Sequence, residues 1–90
     1  MIMTARNQYR TKALHREFTR FAHAVVRSGH AESNGVGRLE AWLTDEGDTH
    51  IELAADGLTT ATVVDGHDVD TIVAALFDVL DEFIAAYQRR

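Results

Sequence analysis

Five histidines (His15, His23, His30, His50 and His67) and fourteen carboxylates are the side chains of this chain best able to move protons or hold a metal. Their spacing builds neither kind of site. No HExxH motif or i, i+4 histidine pair occurs, and His15 and His23, eight apart on one helix, would project about 80° apart around its axis. The sequence contains no cysteine, which removes thiolate nucleophiles, disulfides and cysteine-based zinc sites together. Ser28 and Ser33 are the only serines, and neither sits in a GxSxG elbow. Gly35-Val36-Gly37 lacks the Lys-Ser/Thr that completes a phosphate-binding loop. The run Asp65-Gly66-His67-Asp68-Val69-Asp70 looks superficially like a cation loop, but it lacks the further oxygen ligands and the closing Glu of one. A turn followed by a helix N-cap accounts for it. The expectation is a protein that is not an enzyme, with no catalytic residues, no metal and no cofactor.

Charge is the more informative chemistry. The first 38 residues hold seven Lys/Arg against two Asp/Glu, whereas residues 39–88 hold twelve Asp/Glu and no Lys or Arg. The formal net charge of −5 therefore joins a basic segment to a strongly acidic one. Arg6, Arg10, Arg16, Arg20 and Arg27 fall on one side of a helical projection, and such a row could track a phosphate backbone. The acidic stretch suits the opposite partner, a basic protein surface approached by electrostatic steering. One form of that idea is a phage-type inhibitor that imitates nucleic acid and fills the groove of a nucleic-acid-handling protein.

Hydrophobic periodicity supplies the elements that must carry these charges. Leu14, Phe18, Phe21, Ala22 and Val25 line one face of a helix predicted over 5–28, with Thr4 as N-cap and Gly29 as the stop. Residues 29–37 read as a loop from their Gly, Ser and Asn content. Three strands follow, at 38–44, 50–55 and 58–64, the last two joined by an Asp56-Gly57 type I′ turn. Asp68 then caps a helix over 69–88. The expected fold is one α+β domain spanning 1–90, α-β-β-β-α, a three-stranded antiparallel meander with both helices packed on one face. That element order resembles the double-stranded RNA-binding domain. The resemblance implies a basic phosphate grip at the start of the second helix; here that stretch is Asp65–Asp70, of the opposite charge.

Side-chain alternation fixes the two faces of the sheet, since a slip of one residue would invert every side chain. Leu39, Ala41, Leu43, Ile51, Leu53, Ala55, Leu58, Thr60, Thr62 and Val64 should face the helices. Glu40, Trp42, His50, Glu52, Ala61 and Val63 should face away. A loop centred on Gly47 would set Trp42 opposite Glu52 and beside Ala61. The last helix carries an apolar stripe, with Val73, Phe77 and Ile84 widening it beyond the ~100° needed to cover a sheet. The excess either covers the first helix or forms a two-fold seam between copies.

The expected function is therefore non-catalytic. It is binding of a protein partner, or of a second copy as a homodimer, through an acidic sheet and C-terminal-helix surface comprising Glu40, Trp42, His50, Glu52, Phe77 and Ile84, in a regulatory or inhibitory role. Nucleic-acid binding through the five arginines is the alternative. No apolar run is long enough to span a bilayer, and the first residues lack the apolar core of a signal peptide. Cytoplasmic residence is expected.

Overall fold

The computed structural model describes residues 11–89. Helix α1 runs Lys12–Ser28 and begins seven residues, about two turns, later than the periodicity predicts. Thr11 is extended, and its hydroxyl accepts from the Leu14 N–H, so it caps the helix here. The predicted cap at Thr4 lies outside the described residues. Gly29 ends the helix by donating its N–H to the Val25 carbonyl. Helix α2 occupies Val69–Gln88, with the Asp68 side chain accepting from the Thr71 N–H at 3.1 Å, as its sequence dictates.

Between the helices lie four antiparallel strands in the order of the chain: β1 (His30–Ser33), β2 (Arg38–Leu43), β3 (Thr49–Ala55) and β4 (Leu58–Val64). The order is therefore α-β-β-β-β-α, and the expectation of three strands is corrected. The Gly, Ser and Asn content of residues 29–37 reads as a loop, and only Ala31 within β1 is apolar. Its pairing on β2, Ala31 opposite Ala41 and Ser33 opposite Leu39, brings Ala31 against the core. The extra strand also separates the fold from the element order of the double-stranded RNA-binding domain.

The β3–β4 register matches the expectation: Ala55 faces Leu58, Leu53 faces Thr60 and Ile51 faces Thr62. Asp56 and Gly57 both take left-handed φ, at 52° and 78°, as a type I′ turn requires. The β2–β3 register differs by two residues, with Ala41 opposite Ile51 and Leu43 opposite Thr49. The cause is where glycine sits in a three-residue turn. Gly47, at φ 87°, is the third residue of Asp45-Glu46-Gly47 rather than its centre. Thr44 closes that turn, its N–H donating to the Asp48 carbonyl and its hydroxyl accepting the Asp48 N–H. A shift of two keeps each side chain on its face, so the predicted faces survive.

Both helices pack on one face of the sheet. Leu39, Ala41, Ile51 and Leu53 from the sheet are buried with Phe18, Phe21, Ala22 and Val25 of α1 and with Ile72, Leu76, Val79 and Leu80 of α2. Leu43, expected inside, lies at the end of its strand and is exposed. The helices meet through aromatic rings, Phe18 edge-on to Phe77 at 4.8 Å and His15 stacked on it at 6.2 Å. Phe77 is only 6% exposed, so the wide stripe of α2 covers α1 as well as the sheet. Thr49, fully buried, pins the loop before α2 to β3. Its hydroxyl donates to the Gly66 carbonyl at 2.8 Å and accepts from His67 Nδ1 at 2.9 Å, which fixes a proton on that nitrogen. No described helix is long and apolar enough to cross a membrane.

Candidate functional site

The sheet face turned away from the helices carries the chemistry. Successive register places His30, Trp42, His50 and Val63 in one row across all four strands, and Glu32, Glu40, Glu52 and Ala61 in the next. Period-2 alternation alone sends these residues to one side, because their sequence neighbours Ala31, Ala41, Ile51 and Leu53 are drawn into the core. Trp42 thus lies beside His50 and Val63, not beside Glu52 and Ala61 as expected, a consequence of the two-residue shift.

The Trp42 and His50 rings stack with centroids 4.1 Å apart and planes 14° from parallel. This contact covers one face of the indole with the His50 ring and leaves Trp42 half-buried on the open side of the sheet. Three glutamates aligned on neighbouring strands repel one another. Nearby donors offset part of that repulsion: His30 Nε2 lies 2.9 Å from Glu40, Arg38 lies 3.6 Å from Glu32, and His50 Nε2 lies 3.3 Å from Glu52. Exposed pairs of this kind add at most about 1 kcal/mol each. Arg38 is, among the described residues, the one fixed cation on this face against three carboxylates, so the face is acidic. Among the described residues no group of three potential ligands is placed to hold a metal ion.

Of the residues expected to bind a partner, Glu40, Trp42, His50 and Glu52 come together on this face. Phe77 and Ile84 lie in the other layer. Phe77 is a core residue and offers no surface to a partner, because the ring of Phe18 covers it. Ile84 is half-buried and lines an apolar groove with Leu14, Val36 and Leu80. Sequence reasoning missed His30, Glu32 and Arg38 as members of the open face. For His30 and Glu32 the signal was the polar–apolar alternation of residues 30–33, too short to separate from a loop; for Arg38 it was its place two residues before Glu40 in the predicted strand.

The acidic segment also has local duties. The Thr71 hydroxyl and N–H donate to Asp68 and hold its carboxyl below the usual aspartate range. Asp48 shifts the other way: a hydrogen bond shared with Asp65, some burial, and the charges of Asp65 and Glu46 all raise it.

Arg16, Arg20 and Arg27 line an exposed strip of α1 with Lys12, His15, Thr19 and His23, and Arg20 pairs with Glu17 at 3.5 Å. Arg6 and Arg10 lie outside the described residues. The acidic face and the basic strip belong to different layers, so one partner of modest size meets only one of them. Comparison with known proteins finds no matching family, no matching curated protein and no matching solved structure.

Proposed function

We propose that this chain is a small, non-catalytic interaction protein of the cytoplasm, and that it binds a basic protein surface through the open face of its sheet. One observation carries the reading. A tryptophan stacked on His50 sits beside a line of three glutamates, on a face that neither helix covers. A half-exposed aromatic anchor surrounded by charge has the make-up of a binding hot spot. The carboxylates supply steering toward Lys- or Arg-bearing partners. A regulatory role follows from occupancy of a partner's basic site, including the case of an inhibitor that fills a nucleic-acid groove.

Capture from the native host tests this, with immobilised wild type set beside three variants. Trp42→Ala and the Glu40→Gln/Glu52→Gln double variant should lose the captured protein, while an Arg16→Ser/Arg20→Ser/Arg27→Ser variant should keep it. Loss confined to the arginine variant would overturn the proposal.

The basic strip of α1 supports a second reading, nucleic-acid binding. Lys12, Arg16, Arg20 and Arg27 flank one continuous depression, the arrangement that phosphate neutralisation uses. It is weakened by Asp70 of α2, which borders the adjoining depression with His15 and Thr19. That reading requires a steep power-law loss of probe affinity with rising salt; absence of probe binding at low salt removes it.

A further inference from the structure

The two edges of the sheet are built differently. β1 is four residues long and carries His30 and Glu32, with Arg38 of β2 beside it. Short length and charge are how an edge strand discourages pairing with another chain. β4 has neither protection: Leu58-Thr59-Thr60-Ala61-Thr62-Val63-Val64 is seven residues without a charge or a proline. Its hydrogen-bonding state follows from the turn. A two-residue type I′ turn makes Ala55 and Leu58 a hydrogen-bonded pair, so Leu58, Thr60, Thr62 and Val64 direct their backbone groups to β3. Thr59, Ala61 and Val63 direct theirs outward. Along this edge, which no described strand pairs, runs a groove lined by Thr59, Thr60 and Ala61 on one side and by Glu82, Ala85, Ala86 and Arg89 of α2 on the other.

We infer that this edge pairs with a second copy of the chain about a two-fold axis through Ala61. Antiparallel pairing then sets Ala61 against the partner subunit's Ala61, and Thr59 against the partner subunit's Val63. The outward groups of these residues form roughly six backbone hydrogen bonds across the axis. The helical wall of the groove obeys the same symmetry. Glu82 and Arg89 flank Ala85-Ala86, so a two-fold between the alanines sets Glu82 against the partner subunit's Arg89, and Arg89 against the partner subunit's Glu82. Ala61, Ala85 and Ala86 line one groove, so a single axis serves strand and helix together. The alanines leave room for two helices to approach, and the charges at their ends match in one orientation only. This self-complementarity singles out a second copy over an unrelated strand. The pairing joins two four-stranded sheets into one and merges their open faces, so that two Trp42 side chains lie on a common surface.

Sedimentation equilibrium over a concentration series, with circular dichroism to confirm folding, decides the matter. Wild type should show a reversible monomer–dimer equilibrium. Ala61→Pro should be monomeric and folded, because it deletes an outward N–H that β3 does not use. Glu82→Arg and Arg89→Glu should each weaken association roughly ten-fold, since the axis counts each exposed pair twice. The double variant Glu82→Arg/Arg89→Glu should restore it. A wild type monomeric throughout, an Ala61→Pro variant that still dimerises, or a double variant without rescue would each overturn the inference. So would growth beyond the dimer, because two-fold pairing leaves β4 no free edge.

Discussion

Replacing Phe77 by alanine should cost this protein a large share of its stability, and the size of the loss can be worked from the packing. The ring is 6% exposed and lies edge-on to Phe18 with centroids 4.8 Å apart. Removing a buried phenylalanine ring costs about 3–5 kcal/mol through lost transfer energy and the cavity left behind. About 0.5–1.5 kcal/mol of that is the aromatic pair itself. A chain of 90 residues has a total stability of roughly 5–13 kcal/mol at the usual ~0.05–0.15 kcal/mol per residue. Phe77→Ala should therefore remove between a quarter and all of it. Urea unfolding followed by far-UV circular dichroism should show a large fall in midpoint with an unchanged slope. Trp42→Ala is the matched control: a half-exposed ring on the open face should cost only about 1 kcal/mol, the value of its stack on His50. A Phe77→Ala stability shift of less than about 1 kcal/mol, together with a changed mass of the native protein, would contradict a core role for this ring. That result would put Phe77 on a seam between copies.

Three other outcomes follow. Thr49→Val keeps the side-chain shape but strips the Gly66 carbonyl and His67 Nδ1 of their shared partner. It should destabilise by about 1–3 kcal/mol, and hydrogen exchange should show faster opening of the loop before α2. Asp48→Asn should raise the melting temperature at neutral pH. The Asp48 carboxyl is raised in the folded state, so its contribution is favourable below the ordinary aspartate value of 3.8 and is lost as pH climbs through its folded value. The variant and wild type should converge below pH 3.8, and a gap that persists there would contradict the Asp48–Asp65 coupling. Gly37→Ala should destabilise by about 1–3 kcal/mol, because φ is 65° and the added methyl would lie 3.1 Å from the Ala54 carbonyl oxygen; an unchanged melting temperature would contradict that crowding.

Much of the fold was legible because local and tertiary signals agreed. The Asp68 cap and a long apolar stripe placed α2 at Val69–Gln88, and Asp56-Gly57 fixed both the β3–β4 turn and its register. Where the signals were weak, the chain's own pattern was insufficient. β1 has one apolar residue, and its existence depends on the partner strand β2 rather than on its composition. The β2–β3 register depended on which position of a three-residue turn holds Gly47, a choice the hydrophobic pattern cannot make because a shift of two preserves both faces. The same blindness explains the site. The pattern put Trp42, His50, Glu40 and Glu52 on one face, but not which of them touch, and it missed His30, Glu32 and Arg38. For Phe77, sequence showed an apolar residue beyond what a sheet needs. Only the packing of α1 showed what used it.

Site-specific photo-crosslinking in the native host distinguishes whether a partner sits on the open sheet face or on either helix. A photoreactive amino acid would replace Ala54 on the open face, Arg20 on the basic strip of α1, or Asp78 on the exposed side of α2. One protein adduct is expected from the Ala54 position and none from the other two. An adduct formed only from Arg20 or Asp78, or transfer of label from Arg20 to nucleic acid, would contradict binding at the open face.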